Sequence, residues 1–233
     1  MFGSRARSGG YAEYVLTNAI WCVKLPQSLC FADGALVEPL AVSLRAARAA
    51  NIQPGDRVLV MGAGAIGLAA AYWARRSGAG KVAICASSTR RESIAQAMDI
   101  DTFITPEQGV SLARQTERAL GGPADVVFEC AGVPGSLDEA VSAVRHQGMV
   151  AAPGFCWTPD SFTPMHAMMK EARLLFTCIY ETREFEIAAE ALGRGHVEPR
   201  AMITDVVTLE AVPEAFDVLR APNKQCKVLI QPS

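Results

Sequence analysis

Val58 to Ala74 reads VLVMGAGAIGLAAAYWA, and no other stretch restricts the fold of the chain so strongly. A short apolar run ends at three glycines, Gly62, Gly64 and Gly67, and a long alanine-rich run follows. The pattern predicts a buried strand, a tight turn and a helix. In such a turn Gly62 permits the sharp reversal, and Gly64 lets the backbone approach a pyrophosphate. Gly67 lets the helix pack closely on the strand, and Ala65 and Ile66 present their amides at the helix start. A lone G-x-G-x-x-G also serves ordinary turns. Here its context supports dinucleotide binding, because it closes a strand and opens a helix.

The surrounding pattern extends that unit. Short apolar runs recur at 57–61, 81–86, 102–105, 125–130, 148–154 and 173–180, and helix-like segments separate most of them at 66–77, 91–98, 109–120, 136–145 and 185–194. Strands apolar throughout, alternating with helices, imply a parallel sheet covered on both faces. The expected fold class is α/β, a doubly wound parallel Rossmann sheet with right-handed crossovers. Before it, Tyr11–Thr17 alternates like a strand, and Asp33–Ala50 has helical spacing. Beyond Pro199 the pattern gives a strand, a helix over Glu210–Arg220 and a closing strand in KVLIQP.

The end of the second strand decides which dinucleotide is expected. An NAD site carries an Asp or Glu there, accepting from the ribose hydroxyls. This chain reads KVAICASSTRRES, with no acid before Glu92. Ala86 removes the repulsion that a 2′-phosphate would meet. Ser87 and Ser88 offer hydroxyls, and Arg90 or Arg91 offers a forked donor for the phosphate. NADP is expected over NAD.

Composition removes other classes. With 233 residues, 50% of them hydrophobic, the chain can bury one good core and an accessory lobe. A net charge of −2 gives no support for nucleic-acid binding or a basic membrane-surface patch. No apolar run reaches the roughly 20 residues of a membrane span, so a cytoplasmic protein acting on a small molecule is expected. The seven cysteines are scattered with no C-x-x-C pair, and His146, His166 and His196 stand far apart. Zinc is not expected, because its ligands must converge tetrahedrally.

Several segments together carry a family resemblance: GGYAEYV, ALVEPLAVSLRAA, IQPGDRVLVMGAGAIGLAAAYWAR, DVVFECAG and LEAVPEAFDVLRAPNKQCKVLI. With them the chain resembles the medium-chain dehydrogenase/reductase superfamily, the zinc-type alcohol dehydrogenases, and most closely its sorbitol and threonine dehydrogenase branch. The resemblance implies that the sheet is a cofactor domain, with Ala131 and Gly132 after the fourth strand among its contacts. It also implies a homodimer joined through edge strands. In that family most of a catalytic domain precedes the segment matching GGYAEYV, with a Cys zinc ligand, a Gly-His-Glu motif and four close-spaced cysteines, and none of these stands in this sequence. The chain is therefore expected to be a truncated, zinc-free member. Residues 31–202 would form the dinucleotide-binding domain, and residues 1–30 with 203–233 a small remnant of the catalytic domain.

Two residues remain as acid–base candidates. Glu38 in EPLAV matches the acidic residue at or near the catalytic zinc in the polyol branch, although a carboxylate early in a helix is also favoured by the dipole alone. His166 in FTPMHAMMK could face the cleft, in a pocket with Phe155 and Trp157 near a subunit boundary. The preferred reading is an NADP-dependent oxidoreductase moving a hydride to or from a small alcohol or carbonyl compound. A dinucleotide-binding module without dehydrogenase activity is one alternative, and the fold repurposed for elimination or cyclisation is another.

Overall fold

The computed structural model describes residues 9–232, so most of the basic start of the chain lies outside the described residues. The glycine-turn segment forms the expected unit. Arg57–Met61 is strand β1, and Ala65–Arg76 is a helix that we number α2, after α1 at Phe31–Ala50. The chain then alternates through β2 (Lys81–Cys85), α3 (Glu92–Ala97), β3 (Thr102–Ile104), α4 (Leu112–Leu120), β4 (Ala124–Glu129), α5 (Ser136–Ala143) and β5 (Val144–Ala152). It continues with α6 (Pro164–Met169), β6 (Arg173–Phe176) and α7 (Thr182–Gly193).

The six strands make one sheet in the order β3-β2-β1-β4-β5-β6, every neighbouring pair parallel. The strand order reverses between β1 and β4, where an open parallel sheet leaves a crevice at its carboxyl edge. Side chains alternate between the two covered faces. Val58 and Val60 pack with α1 and α2, while Leu59 and Met61 pack with Leu120 of α4 and Val141 of α5. On the first face Trp73 Nε1 donates to the Leu40 carbonyl at 2.8 Å, and Ser43 Oγ donates to the Ile66 carbonyl at 2.9 Å. Helix α1 is thereby fastened to the helix that follows the glycine turn.

The last three elements stand apart from this sheet. Strands β7 (Ile203–Val207) and β8 (Lys227–Ile230) pair in parallel, with α8 (Val212–Arg220) between them. The chain is anchored just before that unit: Arg200 in a 3₁₀ turn at Glu198–Met202 holds Asp33 of α1 through contacts of 2.6 and 2.9 Å. Asp33 is 1% exposed, and the guanidinium pulls its pKa down to about 2, helped by hydrogen bonds from Cys30 and opposed by burial.

The structure corrects the sequence expectation in three places. Tyr11–Thr17 is irregular rather than a strand, with Tyr14 and Leu16 89% and 95% exposed. A strand needs a neighbour to take up its backbone hydrogen bonds, and none of the described strands pairs with this segment. The run 173–180 is strand only to Phe176, after which Ile179 turns into the left-handed region (φ 59°). Between 154 and 173, where the sequence pattern offered no helix, Pro164 starts the short helix α6, where a missing N–H costs nothing.

Candidate functional site

Each glycine of the turn occupies a position that another residue would disturb differently. Gly62 has φ +98°, and a Cβ there would lie 3.1 Å from the Ala131 backbone nitrogen. A Cβ on Gly67 would stand 1.8 Å from the Gly62 carbonyl oxygen, so only glycine lets α2 lie this close to the turn. At Gly64 a Cβ would meet nothing within 4 Å, because this position opens onto free space. Gly64 is the N-cap of α2 and provides no side-chain cap. The first intrahelical bond is Leu68 N–H to the Gly64 carbonyl, which leaves the amides of Ala65, Ile66 and Gly67 for an external acceptor.

These residues border a cleft of about 550 Å³. The floor is Met61, Gly62, Ala63 and Gly64 from β1 and the turn; Ala86, Ser87, Ser88, Arg90 and Arg91 come from the end of β2, and Cys130 and Ala131 from the end of β4. Of the expected cofactor residues, Gly62, Gly64, Ser87, Ser88, Arg90, Arg91 and Ala131 thus line one cleft, whereas Ala65, Ile66, Gly67 and Gly132 are not part of its lining. Gly132 follows Ala131 at φ +63°, and a Cβ there would lie 2.5 Å from the Phe155 carbonyl oxygen. The two arginines differ. Arg90 is exposed and makes no ion pair among the described residues, whereas Arg91 donates from Nε and Nη2 to the Gln225 carbonyl at 2.9 and 2.7 Å.

Glu129 is a site residue that the sequence patterns did not single out. It is 4% exposed at the end of β4, and one carboxylate oxygen accepts from the amides of Ala131 and Gly132, both at 2.8 Å. It fixes the shape of the loop forming the cleft wall. The signal was available, since an acid ending an otherwise apolar strand must find donors to be buried.

The cleft thiols offer no nucleophile. Burial, and then the charge of Glu139, pushes Cys85 up to about 11, and burial pushes Cys130 higher still above the usual thiol range.

The acid–base candidates are not brought into this cleft. Glu38 lies on α1; protein crowded around its carboxyl raises its pKa although the residue remains accessible to water, and Lys227 acts in the opposite direction. The Tyr180 phenol nearby is also raised, first by burial and then by the Glu38 charge. His166 sits on α6 with Nδ1 3.4 Å from an Asp138 carboxylate oxygen, also outside the cleft lining. Phe155 and Trp157 stack with ring centroids 5.8 Å apart, both exposed. Among the described residues no three His, Cys, Asp or Glu side chains come together to hold a metal ion. The donor set of the described residues therefore does not fit a zinc site.

Residues 65–194 match the family model described as zinc-binding dehydrogenase. D-xylulose reductase A of Aspergillus niger is 30% identical over 226 residues, which is 95% of this chain and 63% of that protein. Human sorbitol dehydrogenase is 30% identical over 214 residues, 91% of this chain and 60% of that protein. The chain thus spans about three fifths of the length of these relatives. Among solved structures, 2R,3R-butanediol dehydrogenase from Bacillus subtilis superposes with a TM-score of 0.88 at 27% identity, covering 97% of this chain and 65% of that one. A Sinorhizobium meliloti dehydrogenase bound to NADP superposes with a TM-score of 0.87 at 28% identity, covering 97% of this chain and 67% of that one.

Proposed function

The chain belongs to the zinc-binding dehydrogenase family of medium-chain dehydrogenases, and on that premise we propose that it binds NADP(H) and serves hydride transfer between the nicotinamide and a small alcohol or carbonyl compound. One observation carries this reading. The uncapped start of α2 opens into the cleft at Gly64, where nothing fills the space in front of the backbone. Free helix amides facing open space are what a pyrophosphate needs.

When bound, the dinucleotide supplies the hydride acceptor or donor. The residues of this chain bind and orient it. The amides of Ala65, Ile66 and Gly67 hold the pyrophosphate, and Ser87, Ser88 and Arg90 hold a 2′-phosphate, with the charge of Arg91 beside them. The loop at Ala131 and Gly132, braced by Glu129, carries the nicotinamide end. The S. meliloti structure bound to NADP supports the preference for the phosphorylated cofactor, as does Ala86 in place of an acid. Glu38, whose pKa is raised by burial, is the acid–base candidate of this reading, and like His166 it lies outside the lining of the cleft.

A second reading has its own support, since Glu38 and His166 both lie outside the cleft lining: a dinucleotide-binding module without dehydrogenase activity. In either reading residues 1–30 and 203–233 belong to a catalytic domain distinct from the dinucleotide-binding domain at 31–202. Two copies pair through β6, whose outer edge has no partner among the described strands and whose Phe176 is exposed.

Titration with NADPH and NADH, followed by the fluorescence of the reduced nicotinamide, tests the cofactor. Arg90→Ala should weaken NADPH by one to two decades, the worth of ~1.5–3 kcal/mol for a charge-assisted hydrogen bond. A wild type that prefers NADH, or an unchanged NADPH affinity in the variant, sinks the assignment. Oxidation of short polyols in the presence of NADP separates the two readings, and sedimentation at micromolar concentration tests the dimer.

A further inference from the structure

Arg91 is the residue whose position the proposed function leaves unexplained. It ends a 3₁₀ turn at Thr89–Arg91 directly after β2, where a phosphate reader is expected, yet its guanidinium is spent on a backbone carbonyl 134 residues away. That carbonyl belongs to Gln225, in the loop between α8 and β8. The loop lies on the cleft: Ala221, Pro222 and Asn223 line it together with Leu219 of α8.

The loop is braced internally and to its own unit. Asn223 Nδ2 donates to the carbonyls of Val218 and Ala221 at 3.0 and 2.8 Å, and its Oδ1 accepts from Gln225 N–H at 3.0 Å. Gln225 Nε2 reaches Asp205 of β7 at 3.1 Å, and Cys226 N–H reaches Thr204 Oγ1 at 2.9 Å. The loop is therefore fastened to the β7-α8-β8 unit. Among the described residues, the hydrogen bonds and ion pairs that join residues 204–232 to residues 31–202 are the two from Arg91. Among the described residues, the wall of the cleft is attached to the cofactor domain by polar contact at this one guanidinium.

We infer that Arg91 acts on dinucleotide binding through this wall: it clamps the 221–226 loop over the adenosine end of the cleft, and of the two arginines it is Arg90 that reads the 2′-phosphate. The inference rests on the dinucleotide reading above. A clamp and a reader make different demands on the ligand. Loosening the wall removes contacts common to NADPH and NADH, whereas removing a phosphate ligand harms NADPH alone. By linkage, a bound dinucleotide must also hold the loop more firmly than Arg91 does without it.

The test has two arms. In the first, both cofactors are titrated against wild type, Arg90→Ala, Arg91→Ala, Arg91→Lys, Asn223→Ala and the Arg91→Ala, Asn223→Ala double variant. Arg91→Ala should weaken NADPH and NADH by the same factor, about tenfold for a lost charge-assisted contact. Arg91→Lys keeps one donor for the carbonyl and should recover part of the loss. Asn223→Ala should weaken both cofactors, and the double variant should lose less than the product of the two single losses, because both act through one loop. Loss of NADPH binding with NADH unchanged in Arg91→Ala, or fully multiplicative losses, overturns the clamp.

In the second arm, hydrogen exchange is measured without cofactor. Peptides covering 221–226 should exchange faster in Arg91→Ala, while those covering β1 stay as in wild type; unchanged exchange in the loop overturns the clamp. A wild type that binds neither cofactor overturns the proposed function and the dinucleotide part of this inference together, and the exchange arm then still decides whether Arg91 pins the loop.

Discussion

Replacing Gly67 with alanine should separate what holds the glycine turn together from what the turn holds. The added Cβ would lie 1.8 Å from the Gly62 carbonyl oxygen and 3.0 Å from its carbon. An ordinary carbon–oxygen contact is about 3.3 Å, so α2 must withdraw by roughly 1.5 Å or the turn must open. Neither movement is cheap. The obstacle is backbone, and α2 is enclosed on all sides here, with the consecutive Leu68, Ala69, Ala70 and Ala71 at 0% exposure. Overpacking of this kind costs up to ~3 kcal/mol, and the better helix propensity of alanine returns about 1 kcal/mol. A net loss of about 2 kcal/mol follows, which for a chain of this size lowers the Tm by roughly 4–8 °C.

Gly64→Ala is the control. Its φ is −77°, which any residue adopts, and its Cβ would point into open space. Stability should stay within about 0.5 kcal/mol of wild type. Dinucleotide affinity should nevertheless fall by about tenfold or more, because the methyl group takes the space in which a pyrophosphate approaches. Thermal and urea denaturation of both variants, with NADPH titration alongside, is the assay. If Gly67→Ala is as stable as wild type, the packing argument is wrong. If Gly64→Ala binds as wild type does, the pyrophosphate does not lie there.

Three further outcomes are expected. The Asp33 carboxyl is held at about 2, below its ordinary 3.8, so its ion pair with Arg200 stabilises fully above pH 4 and is lost as pH falls from 4 towards 2. Asp33→Asn should remove that part of the acid sensitivity and cost about 1–2 kcal/mol at neutral pH, a value reduced because Arg200 is half exposed; an unchanged acid-unfolding curve would contradict it. Glu129→Ala strips the acceptor from two amides and should cost about 2 kcal/mol by thermal denaturation, whereas Glu129→Gln keeps an acceptor oxygen and should cost less than ~1 kcal/mol; equal losses would mean that its charge, not the two hydrogen bonds, matters. Alkylation at pH 8 should label the exposed Cys22, Cys30, Cys156 and Cys178 first and Cys85 and Cys130 last, since burial raises both cleft thiols; early labelling of Cys130, read by peptide mass, would show that the β4 end opens.

The sequence by itself determined the alternation of strands and helices along the chain and the place of its glycine turn. Both depend on short-range rules: a continuous apolar run in β1, an alanine-rich helical run in α2, a positive φ at Gly62 that side chains resist, and at Gly67 an approach of helix to turn that leaves no room for a Cβ. The crevice between β1 and β4 depends on the strand order within the sheet, which the pairing of β1 with both β2 and β4 decides. Tertiary structure decided everything that depends on a partner distant in the chain. Alternation at Tyr11–Thr17 was real, but a strand exists only where another strand meets it. Two adjacent arginines read alike in ASSTRRES, and only the arrival of Gln225 makes one a clamp and leaves the other free. Glu38 and His166 each had the chemistry for proton transfer, yet α1 and α6 carry them outside the cleft. Local patterns fix backbone shape because their energy lies within a few residues; which side chains meet is fixed by packing, whose contacts join residues more than a hundred positions apart.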